Sequence, residues 1–160
     1  HDDPAYITAL ASAVQRQIAA LDFTPDCLLA SFHGMPQRTL ELGDPYHCQC
    51  QKTARLLAEA LGRPVDIAFQ SRFGRAQWLT PSTEEMLAKL GGAGVKRLAV
   101  IAPGFSADCL ETLEELAIRG KAQFEEAGGQ RFAYLPCLND GAEGMAMLES
   151  LIRRELAGWL

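Results

Sequence analysis

Four short apolar runs, residues 27–32, 65–70, 97–102 and 132–135, constrain this chain more than any other feature. Each is nearly continuous in apolar residues, the pattern of a strand buried on both faces. Stretches with apolar residues at helical spacing lie between them, and one more stands at each end. Strands joined through helices of this length run parallel, with right-handed crossovers. The alternation therefore predicts a single α/β domain over residues 1–160, built as a three-layer, doubly wound, four-stranded parallel sheet. The expected strand order is 2-1-3-4, flavodoxin-like, with the topological switch point between the first and third strands.

Ordinary punctuation delimits the helices. Residues 4–21 carry Ile7, Leu10, Val14 and Ile18 at helical spacing, with Asp3 as N-cap and Pro4 in the first turn. A second helix is expected over residues 47–61, stopped by Gly62. Pro81-Ser82-Thr83-Glu84-Glu85 opens a third, closed by Gly91-Gly92. A long fourth helix is expected from the turn at Pro103-Gly104-Phe105-Ser106 through Glu126, and a terminal one reaches Leu156. Residues 34–46, with Pro36, Gly43 and Pro45, read as a loop, and loops of that length are commonly functional.

Composition narrows the function classes. A net charge of -5 argues against nucleic acid as the main partner. No apolar run is long enough for a transmembrane helix, and no secretory signal is visible. Five cysteines at irregular spacing fit reduced thiols better than a disulfide framework. The expected location is cytoplasmic, with peripheral attachment to the inner membrane as a variant. The start His1-Asp2-Asp3-Pro4, without methionine, suggests a piece of a longer protein and makes His1 a solvated terminal residue.

Several constellations could carry chemistry. The first apolar run ends on His33-Gly34, where open α/β sheets bind ligands. Histidine exchanges a proton near neutral pH and ligates metals as neutral imidazole. On the fourth helix, steps of three and four put Asp108, Glu111 and Glu115 on one face, with Glu114 beside them. Helix capping accounts for Asp108 well, and for Glu111 and Glu115 progressively less. The stretch from Gln70 through Ser71, Arg72 and Phe73 to Trp78 combines aromatic faces with guanidinium groups, a set suited to a planar anionic ligand or simply to a solvated loop. His47-Cys48-x-Cys50 is spaced more tightly than paired zinc ligands usually are and reads as thiols and a histidine near a helix start. Cys27, Cys109 and Cys137 read as small apolar fillers.

These motifs, taken together and in order, resemble the carboxyl-terminal half of bacterial ferrochelatase. The resemblance is carried by Ser31-Phe32-His33-Gly34-Met35-Pro36, Gly43-Asp44-Pro45-Tyr46, Phe69-Gln70-Ser71-Arg72-Phe73-Gly74 with Trp78-Leu79-x-Pro81, and Pro103-Gly104-Phe105-Ser106-Ala107-Asp108-Cys109-Leu110-Glu111-Thr112-Leu113-Glu114-Glu115. Tyr134-Leu135-Pro136-Cys137-Leu138-Asn139 also fits, so nearly the whole chain is covered.

The resemblance implies insertion of ferrous iron into protoporphyrin IX to form protohaem, a lyase reaction of haem biosynthesis. His33 then matches the family's active-site histidine, which binds the ion or takes a pyrrole proton, and Glu111 its acidic partner. Glu115 and Asp108 would continue a carboxylate path for metal or protons. Tyr46, Ser71, Arg72 and Trp78 would line the porphyrin cleft. A neutral imidazole and a carboxylate hold such an ion without trapping it. Family members close the cleft with a first domain that this chain lacks, so the isolated chain is expected to fold but to turn over little. No cofactor is required. Some relatives carry a [2Fe–2S] cluster, for which Cys48, Cys50, Cys109 and Cys137 are conceivable but unfavoured ligands. The alternative is a flavodoxin-like metal or tetrapyrrole binding module without catalysis. A histidine phosphatase is disfavoured because Phe32 stands where its arginine would be, and FMN because no phosphate loop follows the first run.

Overall fold

The computed structural model describes His1 to Trp159. Its sheet has four parallel strands in the order β2-β1-β3-β4, as the alternation predicts. β1 (Cys27–His33) lies between β2 (Asp66–Gln70) and β3 (Arg97–Ile101), and β4 (Arg131–Tyr134) pairs with β3. Side chains alternate across a strand, so β1 serves two cores. Leu28, Ala30 and Phe32 pack with Leu10, Val14, Leu57, Phe69 and Ile101. On the other face Leu29 packs with Ala68, Leu87, Leu98, Val100, Leu116 and Phe124. α1 (Pro4–Ala19), α3 (Tyr46–Leu61) and α7 (Ala142–Glu155) form the first helical layer, while α4 (Thr83–Gly92) and the helices after β3 form the second. A fully buried leucine or phenylalanine is worth roughly 1.5–3 kcal/mol relative to exposure, so register is strongly held. A one-residue slip of β1 would exchange its two faces and turn His33 away from the second layer.

Local chemistry sets the helix ends. The Asp3 side chain accepts from the Ala5 amide at 2.9 Å, with Pro4 next in the chain. α3 stops on Gly62, whose φ of 64° is left-handed. Ser82 and Glu85 form a reciprocal capping box at the start of α4. No described helix is long and apolar enough to cross a membrane.

Two expectations are corrected. Residues 34–46 are not all loop, since α2 (Gln37–Glu41) forms within them. The segment is braced against the loop after β2, with Gln37 N donating to Gln77 O at 2.8 Å and Leu79 N to Met35 O at 2.9 Å. The helix after β3 begins not at Ser106 but at Leu110. A single turn, α5 (Leu110–Thr112), leads into a π-helix (Leu113–Gly120) and then α6 (Lys121–Glu126). Its delay has a cause outside the segment: Asn139 Oδ1 accepts from Asp108 N at 2.8 Å, and Asn139 N donates to Ser106 O at 3.0 Å. Residues 106–108 are thereby tied to the segment after β4 instead of coiling. Cys109, fully extended, becomes the N-cap, its amide donating to Thr112 Oγ1 at 2.9 Å.

Candidate active site

His33 is the last residue of β1, half-buried, on the same face as Ser31 and the second helical layer. Its Nδ1 lies 2.8 Å from Gly34 O. A carbonyl oxygen only accepts, so Nδ1 carries the hydrogen and Nε2 keeps its lone pair for a proton or a metal ion. The backbone around it is tightly held. Tyr46 Oη donates to His33 O at 2.9 Å, and Gly34 N donates to Gln70 O at 2.8 Å. A Cβ at position 34 would stand 2.5 Å from that same Gln70 oxygen, so only glycine fits. The Phe105 ring lies 6.1 Å from the imidazole.

Glu111 approaches from across the switch point, in the single turn of α5 that follows β3. Hydrogen bonding from the Cys109 side chain and from its own backbone holds its carboxyl below the usual carboxylate range. The carboxylate is thus kept ionised on the β3 side of the switch point. Leu110 and Leu113, on either side of Glu111, are 75% and 50% exposed. An imidazole with a free nitrogen and an ionised carboxylate can together share a divalent ion or pass a proton.

The single acidic face expected of the fourth helix does not exist. Asp108 precedes the helix, and its carboxylate is filled from within the fold. It accepts from Tyr134 Oη and Asn139 Nδ2, each at 2.7 Å, from Thr112 Oγ1 at 3.2 Å and from Cys137 N at 3.3 Å. Burial opposes its ionisation, but the bonds from Asn139 and Tyr134 outweigh that and hold its carboxyl below the usual range. Tyr134 has one hydroxyl hydrogen and gives it to Asp108, so it accepts from the Cys137 thiol at 3.3 Å. Burial pushes that thiol up to about 12. Glu115, within the π-helix, turns to the loop after β2, accepting from Ser71 N at 2.7 Å and Ser71 Oγ at 2.9 Å. It thereby secures Ser71, a non-glycine residue with φ of 64°.

The four expected cleft residues divide between two cavities. Tyr46 lines an apolar cavity of about 440 Å³ between the sheet and α1, α3 and α7. Ser71, Arg72 and Trp78 line a polar one of about 350 Å³ on the opposite side, with Glu115 and Arg119. Trp78 Nε1 donates to Phe73 O at 3.1 Å, and its ring sits 5.1 Å from that of Phe73. Arg72 faces Glu85 at 3.5 Å and Glu84 at 3.8 Å. His33 and Glu111 line neither cavity.

Cys48, Cys50, Cys109 and Cys137 are not gathered at one place. Among the described residues, no group of three or more His, Cys, Asp or Glu side chains could hold a metal ion. Cys48 is exposed, Cys50 and Cys137 are buried, and Cys109 caps a helix. His47, beside Cys48, instead stacks on Phe69 with ring centres 5.5 Å apart.

Comparison with known proteins decides the family. The ferrochelatase family model matches residues 1–156. The chain belongs to the ferrochelatase family. It is 56% identical to the ferrochelatase of Rhizobium meliloti, with all of this chain covering 48% of that protein. The ferrochelatases of Agrobacterium fabrum and Methylocella silvestris are 55% and 50% identical, each covered to 47% by the whole of this chain. The chain spans about half the length of the curated relatives it matches.

Against this ferrochelatase background, three residues that sequence reasoning quoted only within motifs prove to build the site. Gln70, 2% exposed, donates through Nε2 to Glu111 O at 2.8 Å. Its signal was present: a glutamine two positions after Ala68 in an apolar strand must point inward with it. Asn139 and Tyr134, which immobilise Asp108, lie 31 and 26 residues away in sequence, and no local pattern connects them.

Proposed function

We propose that the chain is the second, metal-side half of a two-domain ferrochelatase, a lyase that inserts ferrous iron into protoporphyrin IX. Iron and porphyrin are its substrates, and the first domain is its partner within the same protein. What supports this reading is that His33, with Nε2 free, ends β1 and Glu111 follows β3 across the switch point, Gln70 bonding the backbone beside each.

Metal insertion needs two things from the protein. The hydrated ion must lose waters to ligands that will release it, and two pyrrole protons must leave the macrocycle. Imidazole Nε2 and the Glu111 carboxylate are of suitable hardness for the first task, and either can accept a proton in the second. General-base help of this kind contributes roughly 10²–10⁴-fold in rate. Desolvation by a closed cleft strengthens both interactions. The exposed Leu110 and Leu113 beside Glu111 give the pair an apolar rim, as expected if a porphyrin face and a second wall cover it. Tyr46, Ser71, Arg72 and Trp78 are proposed as porphyrin contacts, reached from either side of the pair. Glu115 and Asp108 support the backbone of that wall, and a role for them in metal delivery rests on the family pattern.

The test is ferrous insertion by the full-length protein, followed by haem absorbance, with porphyrin binding followed by fluorescence quenching. His33→Ala and Glu111→Gln should each lower turnover at least 100-fold and leave porphyrin affinity within about threefold. Equal loss of binding and turnover would instead favour a tetrapyrrole carrier.

A further inference from the structure

Beneath His33 and Glu111 lies a polar cluster that neither residue explains. Ser31, Gln70 and Thr83 are 0%, 2% and 4% exposed. Ser31 Oγ donates to Gln70 Oε1 at 2.8 Å and lies 2.7 Å from Thr83 Oγ1. With its one hydrogen given to Gln70, Ser31 must accept from the threonine hydroxyl. The Gln70 amide is therefore fixed in one orientation, with Nε2 directed at Glu111 O, 2.8 Å away. Buried polar networks of this kind hold a single arrangement, because any rotation leaves a donor or acceptor without a partner.

Gln70 is also the β2 partner of His33 in the sheet register. Its carbonyl accepts from Gly34 N at 2.8 Å, immediately after the histidine. One residue thus grips both halves of the candidate pair: its main chain fixes the backbone at His33 and its side chain fixes the backbone at Glu111. α5 is a single turn that runs into a wider π-helix, and its own hydrogen bonding does not set its distance from β1.

We infer that Gln70 is a positioning residue: its side-chain amide, oriented by Ser31 and Thr83, sets where Glu111 stands relative to His33 and so makes the two act on one ion. The inference rests on the proposed function of the His33–Glu111 pair. It predicts that loss of the amide separates the two ligands in behaviour without removing either of them.

The experiment is a Co²⁺ titration of this chain by NMR, reading the paramagnetic effect separately at His33 and at Glu111. In the wild type, both residues should respond with one common midpoint. In Gln70→Leu, which keeps the volume but cannot donate, the affinity should fall at least fivefold and the two residues should titrate with different midpoints. Leu87→Val loosens the same second-layer core without touching the hydrogen bonds of Gln70. It should keep the common midpoint, which separates positioning from general loosening of the core. Should Gln70→Leu fail to fold, Gln70→Asn takes its place with the same outcomes, since it retains the amide but is one methylene short of Glu111 O. A common midpoint in the Gln70 variant, within twofold of wild type, overturns the inference while leaving the pair intact. No response at either residue in the wild type overturns the pair itself, and the inference with it.

Discussion

Asp108→Ala should destabilise the chain substantially while sparing metal binding. The side chain accepts four hydrogen bonds, two of them at 2.7 Å, from Tyr134, Asn139, Thr112 and Cys137. A bond to a charged acceptor is worth about 1.5–3 kcal/mol, and counting only the two short ones at the low end gives about 3 kcal/mol. Because the site is only partly buried, water can replace some of this, so the expected loss is roughly 2–3 kcal/mol. For a domain of this size that corresponds to a fall in Tm of about 4–12 °C. Urea unfolding followed by circular dichroism should show a lower midpoint at unchanged slope. The effect should depend on pH in a defined direction. The Asp108 carboxyl is held below its ordinary value in the fold. Its stabilisation is therefore complete above the unfolded value, near ~3.9, and is lost as pH falls through the folded one. Wild type and variant should converge as pH drops below about 4. A variant as stable as wild type, within about 0.5 kcal/mol, but unable to bind Co²⁺ would refute this account and make Asp108 a metal carboxylate after all.

Three further outcomes are expected. Gly34→Ala should cost about 1–3 kcal/mol in thermal unfolding, because the new methyl meets Gln70 O at 2.5 Å and backbone must move. Glu115→Ala should speed amide hydrogen exchange through residues 71–78 and cost about 1–2 kcal/mol, since it frees both donors of Ser71 while leaving His33 untouched. The isolated chain should fold cooperatively yet turn over ferrous iron and protoporphyrin at under about 1% of the full-length rate, because an open site loses the desolvation a cleft provides; near-full turnover by the chain alone would count against the two-domain reading.

The parts of this structure that were legible in the sequence are those with short-range causes. β1 reads as a buried strand because residues 27–32 are apolar without interruption, and its parallel pairing follows from the long helical connections. Asp3, Gly62 and Ser82 mark helix ends through bonds made within a few residues. His33 could be singled out because a strand's carboxyl end is where such folds expose side chains. The start of the helix after β3 was misjudged for the opposite reason. Asp108 looks like a first-turn acid, but Tyr134 at the end of β4 and Asn139 beyond it hold it outside the helix. The change to π geometry at Leu113 has no mark in the residue pattern. With Asp108 outside the helix and a π turn between Glu111 and Glu115, a face counted in steps of three and four could not survive. Glu115 consequently faces Ser71 rather than the pair.

The measurement that bears most directly on the central claim is a crystal structure of this chain soaked with Co²⁺, with the ion located by its anomalous signal. The account predicts one ion at the switch point, ligated by His33 Nε2 and a Glu111 carboxylate oxygen, with Asp108 still bonded to Tyr134 and Asn139. An ion seated on Asp108 or on the cysteines, with His33 and Glu111 bare, would contradict it.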